Sequence, residues 1–302
     1  MASALSCEDL PAANGAHGAS MDGCAYRVAW TINPHMRVGA ARVERALRQH
    51  CRLLDAVRNA GGTIARLPFV HGAFDSVFAK DNALLRTTDR GCHALLASLV
   101  HEERRREQPS RREALERAGF VVHAPPVAPL EGGDVVVLPD GSAFLGHGFR
   151  SSADAAPTLA RFLGAPVRPL RLRDPRLYHL DMALTVLHDG TALACEEAFE
   201  PSSFRTLLRA TSGNLVRVAH GVALGFGINL IEVRGTVIVG AEHGAIRREL
   251  EARGKRVVVA PLDEFHHAGG SAACLVARVH DADAQAGAVA YSPTTAIRST
   301  AA

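Results

Sequence analysis

Five polar residues of this 302-residue chain sit among glycines or apolar residues, each a few positions ahead of a turn signal. Asp81 lies 8 residues before Asp89, and Glu131 lies 9 before Asp140. His179 and Asp181 lie 10 and 8 before Asp189, and Cys274 lies 7 before Asp281. Such a set supports nucleophilic catalysis. A thiolate attacks an electrophilic carbon, an imidazole moves the proton and a carboxylate orients the imidazole. Two further carboxylates suit a planar cation, because a guanidinium offers its donors as a fork that matches carboxylate geometry. A bound cation also favours the thiolate, so Cys274 is expected to react with alkylating agents ahead of Cys51 and Cys195. Singly, each residue has a plainer reading. Cys274 is then a buried strand cysteine, His179 a structural histidine, and Asp81 a cap before Asn82. Glu131-Gly132-Gly133-Asp134 is then a turn whose acids cap backbone N–H groups. The shared offset ties them together.

The elements that would carry these residues repeat. Turn signals at Asp89-Arg90-Gly91, Asp140-Gly141, Asp189-Gly190, Arg234-Gly235 and Asp281-Ala282-Asp283 each separate apolar runs, the pattern of tight hairpins. Their spacings are 51, 49, 45 and 47 residues, a period that predicts a supersecondary unit repeated in a ring or array. Between hairpins the text reads as helix and then strand. Val43, Leu47, Cys51, Leu54 and Val57 mark one face of a helix ending at Gly61-Gly62, followed by a strand over Thr63–Pro68. Residues 110–118, 153–163, 201–209 and 240–253 are further predicted helices, with a strand over 256–260. If the units are related by rotation, the five polar residues converge at one end of the common axis. The most polar segment, His101–Arg112, reads as a solvated loop entering a helix. Residues 1–22 read as a loose N-terminal tail, leaving 23–302 as one domain.

Composition narrows the class. Hydrophobic residues make up 47% and charged residues 22%, an ordinary globular mix. The net charge of +3 is interspersed, and one Trp and three Tyr are few for base stacking, so nucleic acid is an unsuitable partner. Nothing has the length and apolarity of a membrane span or an export signal. The six cysteines are scattered without CxxC pairs, which points to a reducing cytoplasm and to neither a disulfide framework nor a zinc site.

Five motifs in order carry a resemblance: Phe74-Asp75-Ser76-Val77-Phe78-Ala79-Lys80-Asp81, Glu131-Gly132-Gly133-Asp134, Gly146-His147-Gly148-Phe149-Arg150, Tyr178-His179-Leu180-Asp181 and Gly269-Gly270-Ser271-Ala272-Ala273-Cys274. Together they resemble the guanidino-modifying enzymes of the pentein superfamily, nearest to the dimethylarginine dimethylaminohydrolase-like branch, with arginine deiminases and amidinotransferases as kin. The resemblance implies a five-bladed α/β propeller of pseudo-fivefold ββαβ units. It implies Cys274 as nucleophile, His179 as general acid and base, and Glu131 as the partner of that histidine. It implies Asp81 and Asp181 as the pair that grips the guanidinium. Arg150 is implied at the substrate carboxylate, Asp75 near its α-amine, and Phe78 in the same binding motif. Three positions depart from the pattern. Asp181 is the acid of deiminases and amidinotransferases, where dimethylarginine hydrolases often have another residue. Lys80 stands where dimethylarginine hydrolases carry an acid, and a second carboxylate-binding arginine is replaced by Ser98 unless Arg104 serves.

The expected activity is therefore hydrolysis at the guanidino carbon of arginine or an N-substituted arginine, giving citrulline plus ammonia or an alkylamine. No metal or organic cofactor is implied. An amidinotransferase using the same covalent intermediate is an alternative, and a non-catalytic propeller that only binds is another. The expected partner is a small guanidino substrate, and a homo-oligomer is compatible with all of this.

Overall fold

Repetition is visible first in how the strands pair. The computed structural model of the chain describes residues 3–7 and 26–281. Its strands are β1 (Ser3–Cys7), β2 (Thr63–Leu67), β3 (Ala83–Thr88), β4 (Gly91–Leu96), β5 (Val121–His123), β6 (Val135–Val137), β7 (Ala143–His147) and β8 (Val167–Arg171). They continue with β9 (Leu184–Val186), β10 (Ala192–Ala194), β11 (Leu215–Arg217), β12 (Leu230–Val233), β13 (Thr236–Val239), β14 (Arg256–Val259) and β15 (Ala277–Asp281). β3 pairs antiparallel with β4, which takes β5 as a parallel neighbour. The same arrangement recurs in β6-β7-β8, β9-β10-β11 and β12-β13-β14. It recurs once more across the chain ends, where β15 pairs antiparallel with β1 and β1 parallel with β2.

A parallel third strand requires a crossover, and a helix supplies each one. These helices are Val43–Asn59, Gln108–Arg117, Ala156–Leu163, Pro201–Ala210 and Gly244–Glu251. The result is a mixed α/β fold whose unit is hairpin, helix, strand. The described sheets number four, because β15 also pairs in parallel with β3 and fuses two units into six strands. The expected turns at Asp89, Asp140, Asp189 and Arg234 all fall between the strands of hairpins. The fifth, at Asp281-Ala282-Asp283, extends beyond the described residues.

Several local expectations shift. Residues 1–22 were assigned to a tail, and five of them, Ser3–Cys7, form β1. The first helix buries Ala46, Gln49, Leu53, Leu54 and Val57, and leaves Cys51 exposed. The face is turned by Gln49, whose amide donates to Asp263 at 2.6 Å and accepts the Glu264 N–H at 3.1 Å. The predicted helix over 240–253 is shortened to Gly244–Glu251.

The segment 101–112 matches its expected exposure only on one side, where Glu102, Arg105, Arg106 and Pro109 are exposed. Arg104, Glu107 and Arg111 are buried, at 3%, 0% and 0% exposure. Burial of such groups is tolerable only with partners. Arg104 Nε donates to Glu107 at 2.8 Å, and Arg111 donates to the carbonyls of Pro68 and Ser76. The segment is thus an internal brace beside the first polar motif. Among the described residues, no helix is long and apolar enough to cross a membrane.

The first strands of the five units, β3, β6, β9, β12 and β15, line a common cavity of about 120 Å³ with residues such as Leu84, Val136, Thr185, Ile231 and His280. The Leu184, Leu230 and Val135 side chains beside it are buried. Residues just ahead of these first strands therefore meet at one end of the cavity.

Candidate active site

Each first strand is preceded by a polar residue in a tight turn or short helical segment. Asp81 lies in the turn Ala79–Asn82 before β3, and Glu131 opens the turn Gly132–Asp134 before β6. His179 and Asp181 belong to the short helical segment before β9. Cys274 comes three residues before β15. The unit built on β12 supplies Asn229, immediately before Leu230. Sequence reasoning missed Asn229. Its signal was an amide five residues before Arg234, inside the apolar run Ile228-Asn229-Leu230-Ile231.

Glu131 and His179 form the tightest pair. His179 Nε2 lies 2.9 Å from Glu131 Oε2, with both side chains buried. Glu131 Oε1 accepts the Val100 N–H at 3.1 Å, and Arg150 donates to Oε2 at 3.3 Å. Burial alone would lower the His179 pKa, but the Asp81 and Glu131 carboxylates outweigh it and raise it to about 9. Burial works against the Glu131 carboxylate, and the hydrogen bond to His179 holds it well below the ordinary range. The pair is an imidazolium and a carboxylate at neutral pH. His179 Nδ1 faces Asp81 Oδ1 at 3.7 Å. A side chain at Gly133 would put its Cβ 2.6 Å from His179 Nδ1 and 2.7 Å from Asp81 Oδ1, so glycine is needed for this approach.

Cys274 is 4% exposed. The Asn229 amide donates to its Sγ at 3.1 Å and accepts the Ala273 N–H at 3.0 Å. Asp181 Oδ2 is 3.8 Å from the sulfur. Burial, then Asp181 and Asp81, push the thiol well above its ordinary pKa. The free site therefore holds a thiol. A group that brings positive charge against the sulfur converts it to a thiolate.

A narrow pocket of about 10 Å³ opens on Cys274, walled by Asp75, Phe78, Asp81, Arg150 and Tyr178. Phe78 packs its ring so close to Gly270 that a Cβ there would meet it at 2.3 Å. Burial raises the Asp75 carboxyl to about 6, against the opposing pull of Arg104, and Trp30 Nε1 donates to Asp75 at 2.6 Å. Arg150 stacks over Tyr178 at 4.8 Å and donates to the Ile32 carbonyl at 2.7 Å. Of the residues expected in the site, Cys274, Asp81, Asp75, Phe78 and Arg150 line this pocket, with His179 and Glu131 bonded behind it. Asp181 lines the larger cavity instead, where Lys80 Nζ donates to its Oδ2 at 2.7 Å.

Arg104 reaches the pocket, but it is committed to Asp81 at 2.5 Å and to Glu107. Ser98 forms a backbone bridge with Leu130 and does not line the pocket. Asp81, Glu131 and His179 offer three ligand atoms within 4.8 Å of one another. Arg104, Arg150 and the Gly133 N–H already occupy the two carboxylates, so the trio works as a charge network. His266 stacks on Phe226 and meets Ser271 at 3.0 Å.

A thiol beside carboxylates, an imidazolium–carboxylate pair and a hairpin–helix–strand repeat together define the pentein type of guanidino-modifying enzyme, and known proteins of that type match this chain. The chain belongs to the family described as "N,N dimethylarginine dimethylhydrolase, eukaryotic", whose profile matches residues 35–281. It is 33% identical over 260 residues to AgrE, the bifunctional arginine dihydrolase/ornithine cyclodeaminase of a Nostoc species, covering 84% of this chain and 36% of AgrE. It thus spans about a third of that relative's length. Identity to the dimethylarginine dimethylaminohydrolase of Mycobacterium tuberculosis is 28%, over 84% of this chain and 83% of that protein. The N-terminal domain of ArgZ, a cyanobacterial arginine dihydrolase solved as a cysteine-to-serine mutant with substrate bound, superimposes with a TM-score of 0.84. It is 27% identical and covers 93% of this chain and all of that domain.

Proposed function

We propose that this chain is a cysteine-dependent hydrolase acting on the guanidino carbon of arginine or an N-substituted arginine. The five hairpin–helix–strand units are read as the blades of an α/β propeller around the common cavity. The observation that carries the reading is the buried Cys274 thiol between Asp181, Asn229 and the pocket, with a charged His179–Glu131 pair behind Asp81.

In this reading a guanidinium enters beside Asp81, and its positive charge lowers the pKa of Cys274, whose proton passes to solvent and is returned to the sulfur when citrulline leaves. The thiolate forms a bond to the guanidino carbon. His179, an imidazolium, gives its proton to the departing nitrogen as the C–N bond breaks, and ammonia or an alkylamine leaves. A thiouronium remains on Cys274. Water then adds to it, returning a proton to His179. The C–S bond breaks and citrulline is released. Glu131 keeps the imidazole oriented and charged. Arg150 and Asp75 serve the carboxylate and amine of the amino-acid end.

The test is incubation of the whole chain with arginine, monomethylarginine and dimethylarginine, measuring citrulline, ornithine and released amine. Citrulline with stoichiometric amine supports the reading. Ornithine with two equivalents of ammonia would assign the dihydrolase activity named for the cyanobacterial relatives. Ornithine together with a new guanidino compound, only when an acceptor amine is present, would overturn hydrolysis in favour of amidino transfer. Binding without product would leave a non-catalytic propeller.

A further inference from the structure

Lys80 occupies a place for which the reaction sketched above has no use. Its ammonium donates to Asp181 Oδ2 at 2.7 Å, and that same oxygen lies 3.8 Å from the Cys274 sulfur. Lys80 and Asp181 both line the common cavity, whereas Cys274 lines the smaller pocket. The ammonium therefore meets the carboxylate at the wall of the common cavity. Asp181 Oδ1 is buried with no hydrogen-bond partner among the described residues. Lys80 is thus the group that holds this carboxylate.

The charges around the sulfur show what that contact does. Asp81 and Lys80 face Cys274 from the turn before β3, and Asp181 faces it from the segment before β9. Tyr178 and Arg150 stand across the pocket, and Asn229 contributes a neutral amide. His280, on β15, shares the cavity wall with Lys80, and burial holds it neutral. Arg104 answers Asp81 but also serves Glu107, so it does not offset Asp181. Without Lys80, Asp181 would place an unbalanced negative charge against the atom that must itself become an anion. Repulsion of that kind is large at short range in a poorly solvated site.

We propose that Lys80 is a positioning residue for the Cys274 chemistry: it holds Asp181 from the cavity side and balances the negative charge that this carboxylate directs at the sulfur. The assignment rests on Cys274 as the nucleophile. It also gives the departure at position 80 a purpose, since a lysine there replaces the acid of the dimethylarginine hydrolases that the motif resembles.

The test reads the sulfur directly and needs no substrate. Alkylation of the full-length protein by iodoacetamide is followed at Cys274 by mass spectrometry of its peptide from pH 6 to 10. Lys80→Met is expected to slow labelling at pH 8 by about tenfold and to move the profile about one unit towards alkaline pH. Lys80→Arg, which keeps the charge, is expected to restore the rate to within about threefold. Lys80→Gln keeps a donor for Asp181 without the charge and carries the Lys80→Met expectation if that variant does not fold. Neutral variants whose profile superimposes on that of the unmodified protein would overturn the proposal. Turnover of a guanidino compound with a Lys80-independent profile defeats this inference alone. A Lys80-dependent profile in a protein that turns over no guanidino compound supports it and defeats the hydrolase reading.

Discussion

At the scale of single residues, the site stores its reactivity until a cation arrives. The sequence led to the expectation that Cys274 would outpace Cys51 and Cys195 with alkylating agents. The structure reverses half of that order, because Cys51 is exposed and Cys274 is buried against carboxylates. Neutral iodoacetamide at pH 7 should therefore label Cys51 first, with Cys195, which burial raises to about 11, and the buried Cys274 both slower. A small cationic alkylator such as chloroacetamidine should invert the order by carrying its own charge to Cys274. Equal rates at Cys274 for the two reagents would count against the charge argument. Replacing the sulfur in Cys274→Ser should abolish turnover and leave the circular dichroism spectrum and melting temperature unchanged. Glu131→Gln leaves His179 without its ionic partner and should lower kcat by about 10²-fold, within the usual range for a proton-transfer group. The sign of the pH effect follows from His179. Its raised pKa keeps the imidazolium up to about pH 9, so the alkaline limb of kcat should fall near there. In Glu131→Gln that limb should move to lower pH, as a titration of rate against pH would reveal.

At the scale of elements, what could be read beforehand depended on whether the signal was local. Hairpin turns and crossover helices were legible, because turn residues and helical periodicity are properties of a few consecutive positions. The motif residues were legible for a related reason, since each sits at a similar distance from its turn. The segment 101–112 was not. Its run of charges looks like a solvated surface, and the groups that make burial tolerable, Asp81 and the Pro68 and Ser76 carbonyls, come from elsewhere in the chain. The same holds for Lys80, whose partner is 101 residues away. Glu107→Ala should expose how much this brace contributes. It leaves Arg104 buried with half of its ionic contacts and should cost about 3 kcal/mol, typical of breaking a buried pair. Chemical denaturation would measure it. A loss below about 0.5 kcal/mol, as for a surface pair, would mean that the segment is solvated after all.

At the scale of the whole molecule, five units of one design present their first strands to a common cavity and their preceding residues to one end of it. No single unit contains the site, because Asp81, Glu131, His179, Asn229 and Cys274 each come from a different one. Removing residues 1–7 deletes β1 and leaves β2 and β15 without the strand between them. Cys274 precedes β15 by three residues, so this truncation should lower both the unfolding midpoint and turnover. Unchanged activity in the truncated chain would show that the strand is dispensable. The placement of β1 also bears on how the protein comes into being. During synthesis β1 is made some 270 residues before its antiparallel neighbour. Contacts this distant in sequence are slow to form, and until then an unpaired strand edge stays open to other chains. Cys274, the proposed nucleophile, belongs to the unit that β1 and β15 share. If the proposed chemistry holds, a nascent chain stalled before β15 should therefore be inert as well as incomplete, so that activity would report on the closing of the sheet itself.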